Sequence, residues 1–179
     1  TWLHNGIITL SGQKMSKSEG RLVILSDALQ HVSGEVLRYF FPGSHYRHAL
    51  DWSTAALEMA RSSLDRLYRS LKPYEAVLDA DQTFSFSKDG DGAMKEALMD
   101  DLNTPQALHT LHQWASTLNR GETEDPESLA RRIWRHGRFL GLFNASFQAW
   151  FQSDPAQGET SQDWIEHQIN ERRAARARK

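Results

Sequence analysis

Leu57-Glu58-Met59-Ala60-Arg61-Ser62-Ser63-Leu64-Asp65-Arg66-Leu67-Tyr68-Arg69-Ser70-Leu71 carries the clearest periodic signal in the chain. Leu57, Ala60, Leu64, Leu67 and Leu71 recur at spacings of three and four, which stacks them on one face of an α-helix. Arg61, Asp65, Arg66 and Arg69 fall elsewhere on the wheel. The helix begins after Ser53, and Pro73 ends it, because a proline ring clashes with the preceding turn.

Downstream, the helical period returns. Met94, Ala97, Leu98 and Leu102 make one stripe. Thr104 then reads as an N-cap, with Pro105 at the first helical position and Ala107, Leu108, Leu111, Trp114, Ala115 and Leu118 on the apolar face. After a polar connection from Asn119 to Pro126, Leu129, Ile133, Leu140 and Phe143 mark the next helix. Trp134 and Phe139 widen its stripe, and Gly137 or Gly141 is where it would bend. Residues 153–160 read as a linker before a last helix, capped by Thr160 with Asp163 and continued by Trp164, Ile165 and Ile169.

Upstream, the text changes character. Ile7-Ile8-Thr9-Leu10 and Leu22-Val23-Ile24-Leu25 are the strand-like runs, with Ser11-Gly12 as a turn and Gln13 to Arg21 as an exposed loop. Ser26 is placed to cap a short helix through His31, and Ser33-Gly34 precedes another from Glu35 to Phe41, stopped by Pro42-Gly43. Residues 72–91, with four Asp and a Lys-Asp-Gly-Asp-Gly tail, read as a long loop anchored by Phe84 and Phe86. The expected architecture is mainly α. A short β-containing segment (1–25) leads into a connecting helical region (26–71), the loop (72–91) and an antiparallel helical bundle (92–179).

Composition narrows the class. The 179 residues include 39% hydrophobic and 25% charged side chains, ordinary globular usage, so wholesale disorder is excluded. No run of 18 apolar residues offers a transmembrane span, and no basic and apolar leader marks secretion. The absence of Cys removes disulfides and thiolate metal sites and points to a reducing, cytoplasmic setting. The net charge of −2 hides an asymmetry. Arg172 to Lys179 holds five basic residues, leaving residues 1–171 with 16 basic against 23 acidic side chains. A chain that opens on Thr1 and closes in a basic run is expected to be a piece of something longer.

Lys14-Met15-Ser16-Lys17-Ser18 is the segment that carries chemistry. Two ammonium groups three residues apart, two hydroxyls and a nearby Gly20 present several donors to one polyanion. Lysine is a mobile point charge, suited to following charge as it shifts onto a departing phosphate. At ordinary residue frequencies a chance occurrence of this string in a chain of this size is about one in 10⁴.

These residues resemble the KMSKS signature of class I aminoacyl-tRNA synthetases. Within that class, several further stretches resemble the cysteinyl-tRNA synthetase family: Trp2-Leu3-His4-Asn5-Gly6, Glu35 to Phe40 with His45-Tyr46-Arg47, Asp100-Asp101-Leu102-Asn103-Thr104-Pro105, and Arg172-Arg173-Ala174-Ala175-Arg176. The resemblance implies activation of cysteine with ATP and magnesium, and transfer to its tRNA. It implies that Lys17 contacts ATP, while Lys14, Ser16 and Ser18 support the loop. It also implies that the zinc ligands and the HIGH signature of the family lie in a catalytic domain upstream of Thr1, so that residues 1–179 alone are inactive. The family continues its motif with Gly-Asn where this chain has Glu19-Gly20-Arg21. The whole protein is expected to be a monomer.

Other constellations have plainer readings. Arg47, beside His45 and Tyr46, is divided between RNA contact and local packing, with the family resemblance favouring contact. Arg172, Arg173 and Arg176 suit either tRNA phosphates or the negative end of a helix dipole. His109 and His112 lack a third ligand and are expected on a polar helix face, and Asp100-Asp101 is expected to end one helix rather than form an acid/base pair. Two other functions fit the text. One is the paralogous cysteine ligase of mycothiol biosynthesis; the other is a non-catalytic helical RNA-binding or interaction module.

Overall fold

A computed structural model describes residues 2–10, 12–15, 23–78 and 92–152. The described residues form two compact units, one reaching to Arg61 and the other spanning Ser62–Gln152.

The first unit holds a three-stranded sheet. β1 (Ile8–Leu10) runs antiparallel to β2 (Gln13–Lys14) and parallel to β3 (Leu50–Trp52), giving the order β2-β1-β3. Gln13 and Lys14, expected in a loop, are therefore strand residues. β3 was not legible as a strand. Conversely, the apolar run at Leu22–Leu25 makes no strand among its described residues: Leu25 opens a one-turn helix α1 (Leu25–Ala28) instead. Ser26 does not cap that helix. Ile24 occupies the cap position without a side-chain bond, and the Ser26 hydroxyl turns to the Asp27 carboxylate.

Ser33 accepts from the Val36 amide and starts α2 (Gly34–Phe40), whose Val36, Leu37, Tyr39 and Phe40 are buried. A 3-10 turn at Phe41–Gly43 follows, with Pro42 in its first turn. Phe40 meets Trp52 of β3 edge to face at 5.6 Å, so the helix and the sheet share one small core.

α3 (Thr54–Leu71) is the helix read from the leucine repeat. Ser53 caps it by accepting from the Ala56 amide, and Leu57, Ala60, Leu64, Leu67 and Leu71 are all buried. Pro73 lies in a 3-10 turn, Lys72–Tyr74, followed by α4 (Glu75–Leu78), so the stretch expected as loop begins with helical turns. Residues 79–91, with Phe84 and Phe86, lie outside the described residues, as does the expected last helix.

In the second unit, α5 (Gly92–Met99) packs on α6 (Thr104–Arg120), α6 on α7 (Pro126–Phe139), and α4 on α7. The cap of α6 is Asn103, which accepts from the Gln106 amide; Thr104 and Pro105 are the first two helical residues. The cap thus sits one residue earlier than Thr104. Asp101 and Leu102 hold positive φ angles, 52° and 54°, which takes Leu102 out of the α5 stripe and leaves it exposed. Asp125 caps α7 and a short α8 (Phe147–Gln152), absent from the sequence reading, begins at Ser146, whose hydroxyl accepts from the Ala149 amide.

An aromatic cluster closes this unit. Tyr68 of α3 is fully buried, stacks on Trp150 at 4.4 Å, and meets Phe143 and Phe147 edge to face. Trp134 of α7 stacks on Phe143 at 5.2 Å. The polar edges are satisfied: the Tyr68 hydroxyl donates to the Ala145 carbonyl, and the Trp150 indole to Asp65. Such pairs add about 0.5–1.5 kcal/mol each beyond burial. Phe139, expected in the α7 stripe, is exposed. α7 runs unbroken through Gly137. That glycine leaves room for the Phe143 ring, and the helix stops before Gly141.

Mainly helical structure with a small β segment is what the sequence pattern predicts, and among the described residues no helix is long and apolar enough to cross a membrane.

Candidate functional site

Lys14, the first residue of the Lys14–Ser18 signature, is the last residue of β2. Its backbone is set by β1: Lys14 lies opposite Thr9, and the Met15 amide donates to the Ile8 carbonyl at 2.9 Å. The turn between β1 and β2 contains Gly12 at φ +74°, a conformation that costs glycine nothing. Its amide donates to Asp51 Oδ1 at 2.9 Å, and the same oxygen accepts from the Thr9 hydroxyl at 2.7 Å. One carboxylate of β3 therefore ties together the strand and the turn that deliver Lys14. Asp51 was missed in the sequence. The signal was the alternation Leu50-Asp51-Trp52 just before the Ser53 cap, apolar residues flanking one acid.

Ser16, Lys17 and Ser18 lie outside the described residues, together with Glu19 and Arg21, and so do Arg172, Arg173 and Arg176.

Arg47 is described and exposed. Its Nε donates to the Tyr46 hydroxyl at 2.9 Å, with the guanidinium 5.4 Å from the ring centroid. His45 stacks on Tyr46 at 4.8 Å, so three side chains that the sequence placed together form one stacked surface group. This group is joined to the chain's first motif: the Gly6 amide donates to the Tyr46 carbonyl at 2.7 Å. A Cβ on residue 6 would lie 1.9 Å from the His48 carbonyl oxygen, so the approach requires glycine. Leu50 then donates to the Ile7 carbonyl, continuing the pairing into β1 and β3.

Asp100 and Asp101 occupy the turn between α5 and α6, both exposed, and the Asn103 amide donates to the carbonyls of Ala97 and Asp100. This is the geometry of a helix stop and restart. His109 is exposed, whereas His112 is half-buried. Burial, then the nearby charges of Arg66 and His109, push the His112 imidazole down to about 4. It is neutral at pH 7. Among the described residues no three His, Asp or Glu side chains gather as a metal site. With no Cys in the chain either, these residues do not fit a thiolate zinc centre.

Residues 1–62 match the class I (C) tRNA synthetase catalytic domain, and residues 93–144 match the DALR domain. The cysteine–tRNA ligase of Ehrlichia canis is 36% identical over 178 residues, covering 98% of this chain and 37% of the relative. That of Gluconobacter oxydans is 39% identical over 179 residues, covering 98% of this chain and 35% of the relative. The chain thus spans just over a third of the length of these relatives. Among solved structures, the LeuRS of Agrobacterium radiobacter K84, in a ternary complex with tRNA and LeuAMS, superposes with a TM-score of 0.59 at 17% identity. The match covers 88% of this chain and 22% of that one, and shows likeness of fold. The chain thus matches, in order, a stretch of the class I (C) tRNA synthetase catalytic domain and a DALR domain.

Proposed function

We propose that this chain is part of a cysteine–tRNA ligase, a cytoplasmic monomer that activates cysteine with ATP and transfers it to its tRNA. The observation that carries the reading is the seat of Lys14. A signature suited to phosphates leaves a hairpin fixed by Thr9, Gly12 and Asp51, in a chain alike over 98% of its length to cysteine–tRNA ligases.

In this reading Lys17 contacts the ATP phosphates, and Lys14, Ser16 and Ser18 hold the loop around them. Lysine charge that follows the departing pyrophosphate stabilises the transition state more than the ground state, which is what lowers a barrier. Magnesium, when bound with ATP, would neutralise phosphate charge. The DALR helices and the stacked group at Arg47 face tRNA, with Arg172, Arg173 and Arg176 tracking its phosphates. Residues 1–25 then close the catalytic domain, residues 26–71 connect, and residues 92–179 form the RNA-side bundle. Selection of cysteine and the zinc ligands belong to an N-terminal domain of the whole protein.

The test is charging of cysteine tRNA by the full-length protein, alongside cysteine-dependent ATP–pyrophosphate exchange by residues 1–179 alone. Charging by the former and no exchange by the latter are expected. Transfer of cysteine to an amino sugar instead of tRNA, or exchange by the isolated chain, would overturn the proposal.

A further inference from the structure

The strands of the first unit place three chemistry-bearing side chains in one row. Thr9 is paired with Lys14 on one side and with Asp51 on the other, and directly paired residues project from the same face of a sheet. Asp51 Oδ1 takes two hydrogen bonds, from the Thr9 hydroxyl at 2.7 Å and the Gly12 amide at 2.9 Å. Bonds to an ionised acceptor are stronger than neutral ones. A strand of two residues, Gln13 and Lys14, has little pairing of its own to hold register, and a slip of one residue would turn Lys14 to the opposite face. The bond to Gly12 fixes the turn, and the bond to Thr9 fixes the strand against which Lys14 is paired. Asp51 lies 37 positions after Lys14 in sequence, so the register of the hairpin depends on the later segment having docked as β3.

We propose that Asp51 is a positioning residue for Lys14: its carboxylate holds the β1–β2 hairpin in register and so sets where the phosphate-binding signature starts. Its contribution to activity rests on the reading of the chain as part of an ATP-using ligase, whereas its contribution to hairpin order does not.

Two measurements on the full-length protein separate these. In the first, hydrogen exchange is followed at the Gly12 and Met15 amides. Asp51→Ala should accelerate both, while Asp51→Asn, whose side-chain carbonyl still accepts from Thr9 and Gly12, should leave them near wild type. In the second, ATP–pyrophosphate exchange is measured. Asp51→Ala should raise the KM for ATP by about 3- to 10-fold with the KM for cysteine within about twofold, and Asp51→Asn should restore it. Thr9→Val removes one of the two donors and should give the same pattern at smaller size, which keeps the test open if Asp51→Ala folds poorly. Unchanged exchange at Gly12 and Met15 in Asp51→Ala and Thr9→Val would overturn the proposal. So would equal rises in both KM values, unrescued by Asp51→Asn. A wild-type protein that shows no cysteine-dependent exchange at all defeats the ligase reading instead, and the amide measurement still decides the role of Asp51.

Discussion

The Gly6 amide donates to the Tyr46 carbonyl at 2.7 Å, and its α-carbon faces the His48 backbone so closely that a methyl group there would lie 1.9 Å from a carbonyl oxygen. Two stretches 40 residues apart are thereby locked backbone to backbone. The neighbour is main chain and cannot swing aside as a side-chain tip would. Gly6→Ala is expected to push the two segments apart and cost about 1–3 kcal/mol. Faster hydrogen exchange at Leu50, whose amide is held by the Ile7 carbonyl, would report it; unchanged exchange would show that the segments are not coupled this way.

A second close approach lies in the helical unit. A Cβ at Gly137 would sit 2.0 Å from the Phe143 ring, which is itself stacked on Trp134 and edge-on to Tyr68. Gly137→Ala should destabilise the unit despite the higher helix propensity of alanine, by about 1–3 kcal/mol in chemical denaturation. Combining it with Phe143→Leu should recover part of that loss, because the two changes share one space. Strict additivity of the two losses would argue against the shared space.

The turn at residues 100–103 combines a cap with strain. Asn103→Ala removes the bond from the Gln106 amide and should cost about 1 kcal/mol. Leu102, exposed at φ 54°, should behave oppositely: Leu102→Gly is expected to be neutral or stabilising by up to about 1 kcal/mol, since glycine adopts that conformation without penalty. Melting temperatures moving in opposite directions would support this pair of expectations. A clear loss in Leu102→Gly would mean that the Leu102 side chain contributes more than its backbone costs.

How much of this was legible depends on how local each signal is. The α3 stripe was readable because every member of the repeat is buried on one helix. β3 was not, because a three-residue strand gains its identity from pairing with β1 some 40 positions earlier, and a period of two over three residues is no signal by itself. Leu102 continues the helical spacing of Met94 and Ala97, yet the left-handed turn at Asp101 removes it from the face. Asn103 and Thr104 are both good caps; the Pro105 that follows favours Thr104 in the sequence, yet the turn places the cap at Asn103. At the candidate site, Lys14 was visible as part of a motif, but the carboxylate that seats it lay in the strand that could not be read.

His112 gives a pH expectation. Its folded-state value near 4 lies below the ordinary 6.5, so the unfolded chain binds a proton more readily. Stability is therefore full above about pH 6.5 and falls as the pH drops toward 4. The side chain is part-exposed and screened by solvent, so the loss should be only about 1–2 kcal/mol. Replacing Arg66 by Met should narrow that window by removing one of the two positive neighbours, the other being His109. His112→Gln should flatten the pH dependence between 6.5 and 4; a variant that melts in parallel with wild type across that range would exclude His112 as its source.

The proposed tRNA contacts differ in what they should do to salt dependence. Each phosphate neutralised by an arginine releases counterions, so log affinity falls against log salt by about 0.7–0.9 per contact. Replacing Arg172, Arg173 and Arg176 together by alanine in the full-length protein should flatten that slope by about two to three. If those residues only complement a helix end, the slope stays as it was and helix content falls instead. Arg47 is a separate case, because its Nε already donates to the Tyr46 hydroxyl. Arg47→Ala should lower the slope by one at most. Arg47→Lys should keep the charge but lose the planar group stacked over Tyr46, so it should restore the slope without restoring the full affinity. Equal binding by wild type, Arg47→Ala and Arg47→Lys at every salt concentration would place the stacked group away from the RNA.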